Sequence, residues 1–127
     1  MGEDMSAAQK FRFERCPSET VSIYIGGAYE DIVRVAQRYC EKGLCVSVFP
    51  CTFAYRYGRE EGAEVRLINY PRFPTDAMNE LMNEGLALAE VLMEELSQGS
   101  VSVQGPSWTT WLSRRSPDLA EKPPQPV

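Results

Sequence analysis

The sequence predicts an α+β fold, a largely antiparallel sheet carrying two helices, and three observations predict it. Between Val21 and Cys40 the apolar period changes from two residues to about 3.6, which is a strand turning into a helix. Between Leu44 and Tyr70 two alternating runs flank a polar GREEG, the pattern of a long hairpin. Between Met78 and Leu96 a second helical stripe appears, and Val101 to Leu112 closes the chain as another hairpin. The order strand, helix, hairpin, helix, hairpin, with no internal repeat, is that of helices laid on an antiparallel sheet.

Residues 1–15 read as an N-terminal extension, frayed over its first ten positions. Phe11 and Phe13 alternate with Arg12 and Glu14 as a short strand would, and Pro17 ends it. The central strand, Val21 to Ile25, sets Ile23 and Ile25 against Ser22 and Tyr24. Gly26 and Gly27 make the corner. The helix beyond buries Ile32, Val33, Val35, Ala36, Tyr39 and Cys40 and ends near Lys42, with Gly43 in the C-terminal capping place.

Leu44 to Phe49 is the second strand, and Pro50 calls for a bend or an edge position. Phe53, Tyr55 and Tyr57 then oppose Thr52, Ala54 and Arg56, with Gly58 to Gly62 as the hairpin loop. On the return, Val65, Leu67 and Asn69 share one face and Glu64, Arg66, Ile68 and Tyr70 the other. Asn69 on the apolar face must find partners in the protein or in a ligand. Thr75 caps the second helix after Pro74, with Asp76 in its first turn. Its stripe is Met78, Leu81, Met82, Leu88, Ala89, Leu92, Met93 and Leu96, opposite Glu80, Glu84, Glu94 and Glu95. Residues 16–115 thus read as a single α+β ligand-binding domain, and the four prolines within Ser116 to Val127 predict a disordered tail.

With 127 residues the chain can bury a core without disulfides. It holds no run of about 18 apolar residues that would span a bilayer, and its polar, acidic start is unlike a signal peptide, so the expectation is a cytoplasmic protein. Cys16, Cys40, Cys45 and Cys51 make no C-x-x-C pair and read as buried, reduced thiols rather than bridges or zinc ligands. The absence of histidine removes the usual general base and the histidine-containing nucleophile pairs and metal sites. A net charge of −5 argues against a DNA or RNA polymer as partner but permits a small anion held by a few arginines. No acid pair reads as catalytic, because Glu60, Glu61 and Glu64 fall in the expected loop and Asp31 in a first helical turn. No metal or cofactor is expected.

Three segments can carry ligand chemistry. Gly26 and Gly27 before a helix can seat an anion or simply turn the chain, and Glu30 and Asp31 already complement the helix dipole. The segment LINYPRFP offers Asn69 to read a base edge, Arg72 for phosphate, and Phe73 or Tyr70 to stack, while Phe73 can equally staple the second helix. In SWTTWLSRR a strand would place Trp108 and Trp111 on opposite faces, one in the core and one exposed, followed by Arg114 and Arg115. Arg56, between Tyr55 and Tyr57, repeats the pairing of arginine with aromatic.

Taken together, SIYIGGAYED, LINYPRFP, LAEVLMEEL and WLSRR resemble the first family of phage Thoeris anti-defence proteins, over about Thr20 to Arg115. The resemblance implies a non-enzymatic sponge in the infected bacterial cytoplasm. It would sequester the glycocyclic ADP-ribose signal of TIR-domain proteins, and in some members cyclic oligonucleotides as well. It also implies a homo-oligomer, dimers assembling to a hexamer, with ligands near subunit contacts. The segments that look alike carry over Gly26, Gly27, Asn69, Arg72, Phe73, Arg114 and Arg115 without individual roles. IYIGG followed by an early acid also resembles nucleoside 2-deoxyribosyltransferases, an enzyme alternative that expects a parallel sheet. A structural assembly protein is the third class.

Overall fold

The computed structural model describes residues 10–72 and 80–119. Five strands form one antiparallel sheet: β1 (Thr20–Gly26), β2 (Val46–Tyr55), β3 (Gly58–Ile68), β4 (Ser100–Gln104) and β5 (Thr109–Ser113), in the spatial order β2-β3-β1-β4-β5. Helix α1 (Tyr29–Tyr39) connects β1 to β2, and α2 (Glu80–Leu96) connects β3 to β4. This is the α+β fold the sequence predicts, in the split βαβ, ferredoxin-like arrangement with a fifth strand hairpinned onto β4. Both of these helices lie on one face, and among the described residues the other face carries no long helix.

The core lies between that helix layer and the sheet. Val21, Ile23 and Ile25 of β1 pair across to Leu67, Val65 and Ala63 of β3, and Ile23 also faces Val103 of β4. All are buried, together with Ile32, Val35 and Ala36 of α1 and Leu81, Leu88, Ala89, Leu92 and Met93 of α2. Helix α2 passes so close to β1 that a side-chain carbon on Gly85 would stand 2.6 Å from Val21 Cγ1. The methionines of the stripe that are described, Met82 and Met93, belong to the core or pack against it.

Several local expectations change. The residues around Phe11 and Phe13 form no strand, and both rings are exposed, because among the described residues nothing pairs with their backbone. Strand β2 runs unbroken through Pro50, which a sheet edge tolerates because no neighbour needs its missing N–H. The hairpin turn is only Arg56-Tyr57, with Tyr57 at φ 74°, so GREEG lies inside β3 rather than in a loop. Trp108 and Trp111 are both exposed, at 59% and 55%, because Trp108 precedes β5 and strand alternation does not apply to it. Cys45 is exposed, whereas Cys16, Cys40 and Cys51 are half-buried, and all four are free. Past residue 115, Ser116–Leu119 forms a short helix, α3. The expected cap Thr75, the ring of Phe73 and the tail after Leu119 lie outside the described residues. Among the described residues no helix is long and apolar enough to cross a membrane.

Gly43, at φ 112°, reverses the chain after a 3-10 turn, Cys40–Lys42, as expected of a capping glycine. Beside it a polar clamp ties the end of α1 to α2. Tyr39 Oη donates to Glu84 Oε2 at 2.6 Å, and Lys42 Nζ donates to the same oxygen at 2.8 Å. Burial pushes the Glu84 carboxyl upward, but the Lys42 and Tyr39 hydrogen bonds outweigh it and hold it below the usual carboxylate range. A depressed folded value stabilises the fold above the unfolded carboxylate range and is lost as pH falls through the folded value. Wild type is therefore expected to exceed Glu84→Gln by up to about 1 kcal/mol near neutral pH, Lys42 being half exposed. Thermal melts should show that margin closing below a pH of about 4.3, and a margin constant down to strongly acid pH would exclude the carboxylate as its source.

Candidate functional site

On the uncovered face of the sheet, strand alternation sets out two rows of side chains. One row crosses all five strands as Phe49, Glu64, Tyr24, Ser102 and Trp111, each pairing with the next. The row beside it is Ser47, Arg66, Ser22, Gln104 and Thr109. At about 4.8 Å per strand, the surface between Phe49 and Trp111 is roughly 19 Å across.

The centre of this face is polar and internally bonded. Ser22, buried although no helix covers it, donates to Glu64 Oε2 at 2.7 Å, and Arg66 Nε donates to the same oxygen at 3.0 Å. The guanidinium of Arg66 lies 4.5 Å from the centre of the Phe49 ring. Tyr24 Oη donates to Gln104 Oε1 at 3.1 Å, and its ring meets Phe53 edge-on at 6.4 Å. The Arg66 hydrogen bond lowers the Glu64 carboxyl below its ordinary value; burial opposes this and Ser22 assists, so Glu64 is ionised at neutral pH. Both contacts to Glu64 use Oε2 and the contact from Arg66 uses Nε. Among the described residues this leaves Glu64 Oε1 and the two terminal guanidinium nitrogens of Arg66 for a ligand. A second acid closes one end: Glu60 folds over Gly26, its carboxylate so near that a side-chain carbon on Gly26 would collide with it at 2.1 Å.

The residues singled out from the sequence fall at the two ends of the sheet, separated by the length of β1. At the Gly26 end, Gly27 has φ 129° and donates its N–H to the Glu61 carbonyl at 3.0 Å. These are the uses of a turn, and the Glu60 carboxylate over Gly26 disfavours an anion there. Arg115 is at the same end, donating to Ser100 Oγ at 2.9 Å and pairing with Asp118 at 3.3 Å, while Arg114 turns to Glu94 at 3.4 Å. Arg56 stands at the tip of the β2-β3 hairpin, 5.0 Å from the Tyr57 ring centre. At the opposite end Asn69 is buried, its Nδ2 donating to the Pro17 carbonyl at 2.8 Å, so its partner is the protein. Arg72 lines a cavity of ≈ 400 Å³ with Arg12, Glu14, Tyr70 and Pro71. Trp108 sits in the β4-β5 turn, its carbonyl accepting from the Gly105 N–H at 2.8 Å. Phe73 lies outside the described residues.

Glu64, Arg66, Tyr24 and Ser22 were not among the expected site residues. The alternation of the two central strands carried the signal, since their polar members had to share the face opposite the core. Reading GREEG as a loop set Glu60 aside, and Glu64 was counted with that loop although it lies two residues beyond it.

Fold and face together define an α+β domain with one helix-free sheet surface bearing an acid, an arginine, a tyrosine and an aromatic rim. No family model matches the chain, and neither does any curated protein. Among solved structures it is similar to a phage SAM lyase in the apo state, at 18% identity and a TM-score of 0.64, covering 80% of this chain and 95% of that one. It is also similar to a phage SAM lyase in complex with S-methyl-5'-thioadenosine, at 13% identity and a TM-score of 0.59, with the same coverage. At these identities the likeness is one of fold.

The expectation of a non-enzymatic chain is corrected by this finding, because the two solved structures reported above are named as an enzyme. These neighbours are phage proteins of another kind than the Thoeris anti-defence family.

Proposed function

We propose that the chain is a phage anti-defence protein that binds an adenosine-containing small molecule on the helix-free face of its sheet and acts on it as a lyase, with S-adenosylmethionine as the substrate class. The observation that carries this is the Ser22-Glu64-Arg66 cluster beside Tyr24, set between Phe49, Phe53 and Trp111. The chemistry matches piece by piece. An adenine stacks on an exposed ring, the sulfonium is attracted to Glu64, and a carboxylate can be gripped by the two guanidinium nitrogens that Arg66 leaves unused. Breaking the bond between sulfur and the amino-acid chain of a sulfonium sends its electron pair out with a neutral thioether while the substrate's own carboxylate oxygen bonds the carbon left behind, so no proton is taken up or released. A chain without histidine is therefore not excluded from this reaction, although it is excluded from much acid–base catalysis.

The cyclic nucleotides implied by the Thoeris resemblance form a second ligand class, favoured by one observation: Arg115 reaches Ser100 on the same open face. Such a ligand would draw on Arg115, with Arg56, Arg72 or Arg114 brought in from a second copy. Self-association is proposed with it, since Phe49, Ile68 and Trp111 expose apolar surface on one flat face.

The test is incubation of the purified full chain with S-adenosylmethionine and, separately, with glycocyclic ADP-ribose, followed by chromatography of the small molecules and light scattering of the protein. Release of S-methyl-5'-thioadenosine is the expected result. Recovery of S-adenosylmethionine intact, with no binding by calorimetry, would overturn the proposal, and turnover of the cyclic nucleotide instead would move the substrate to the second class. A monodisperse monomer would remove the shared arginines.

A further inference from the structure

The turn between α1 and β2 holds a feature that the open face does not use. Cys40 ends the α1 helix, Gly43 reverses the chain, and both Gly43 and Leu44 donate their N–H groups to the Cys40 carbonyl, at 2.9 and 3.1 Å. This tight reversal brings the start of β2 back over the helix end. The backbone N–H of Val46, the residue next to Cys45, approaches the Cys40 sulfur. Both cysteines line one apolar groove of ≈ 290 Å³ between α1 and β2, with Val33, Ala36, Gln37 and Val48. Cys45 is exposed and Cys40 half-buried, and both are free thiols.

We propose that Cys40 and Cys45 are a modification site, a dithiol that a small-molecule disulfide such as oxidised glutathione converts into an internal disulfide across the α1-β2 turn. Access sets the order of events. The exposed Cys45 thiolate attacks the glutathione disulfide, forming a mixed disulfide and expelling one glutathione thiolate. Cys40 then attacks the Cys45 sulfur, the internal bond forms and the second glutathione thiolate leaves. Two protein thiols are oxidised, one glutathione disulfide is reduced, and the two protons end on two glutathione molecules. Burial, with Cys45 nearby, pushes the Cys40 thiol up, which keeps it from being the first to attack; in the second step the target is already tethered beside it, and proximity offsets the smaller thiolate fraction. The bond would lock the helix end next to the Tyr39-Lys42-Glu84 clamp, in the groove between α1 and β2 rather than in the Glu64-Arg66 cluster.

The experiment treats the folded full chain with oxidised glutathione and reads intact mass, then maps peptides after cleavage at Lys42, which separates the two cysteines. The expected product is lighter by two hydrogens, carries no glutathione, and joins the Cys40 peptide to Cys45, with Cys45 losing reactivity to an alkylating agent. Cys51→Ser should behave as wild type, and Cys40→Ser should stop at the mixed disulfide on Cys45. Cys45→Ser, an exposed and conservative change, should form no internal bond while its melting curve stays that of wild type. A stable mixed disulfide on the wild-type chain, a bond from Cys40 to Cys51, or an internal bond persisting in Cys45→Ser would each overturn the proposal. S-adenosylmethionine turnover is read on the same samples. Its absence would count against the open-face function and leave the dithiol result standing.

Discussion

Gly62→Val is expected to lower stability by about 2 to 3 kcal/mol, more than a change at any exposed position of the sheet. Gly62 lies in β3 directly opposite Gly26 of β1. A side-chain carbon there would stand 2.2 Å from the Ile25 carbonyl oxygen, 2.7 Å from Gly26 Cα and 2.8 Å from Phe53 Cε2. Two of those three atoms are backbone of the central strand, so relief requires β1 and β3 to part where their ladder ends. Phe53 must also leave its edge-on contact with Tyr24. Valine is a better strand former than glycine, so propensity alone would stabilise the variant and cannot explain a loss. Gly26→Ala is the internal control. Its new carbon meets the far end of the flexible Glu60 side chain, which can swing away, and a loss below about 1 kcal/mol is expected. Urea denaturation followed by circular dichroism reads both. Equal midpoints for the two variants would mean that β1 and β3 are not pinned at this pair.

The sheet and its helices were legible because their periods are set by burial. Ile23, Ile25, Val65 and Leu67 alternate, and the Ile32-Val35-Ala36 stripe repeats, since each must face the same core. The hairpin was legible in existence but not in length. A loop of five residues and a strand whose first four residues are exposed look alike when only one face of an edge hairpin is buried. What separates them is the Arg56-Tyr57 turn, whose positive φ at Tyr57 no composition signals. The spatial order of strands was not legible either, because it depends on where α1 and α2 cross the sheet. Without that order Ser22, Glu64 and Arg66 could not be seen to meet: they lie on two strands that are distant in sequence and adjacent only in the folded sheet. Asn69 shows the converse. Its burial was legible, and both the Pro17 carbonyl and a ligand satisfied that requirement equally until the fold placed the former against it.

Glu64→Gln is expected to leave the fold intact and to weaken S-adenosylmethionine binding or turnover by about tenfold to a hundredfold, the scale of losing one charge partner in a partly desolvated site. Glutamine keeps the length of the side chain and an oxygen that can still accept from Ser22 Oγ, so the buried serine is not orphaned. Arg66, half exposed and stacked on Phe49, can turn to solvent and tolerates the loss of its carboxylate. What disappears is the negative charge beside which a sulfonium would sit. Arg66→Gln removes instead the group proposed to grip the carboxylate of the substrate, so the two variants make different errors. Glu64→Gln should weaken a cationic sulfonium while sparing S-methyl-5'-thioadenosine, which is neutral. Arg66→Gln should also spare the neutral product, which has no carboxylate. Calorimetry with both compounds separates charge recognition from stacking, and Trp111→Ala, which lies on the rim, should weaken both. Equal loss of sulfonium and thioether in Glu64→Gln would show that the residue shapes the face rather than reading charge. No loss of either would move the site away from Glu64 and Arg66, toward the Arg115 end of the same face.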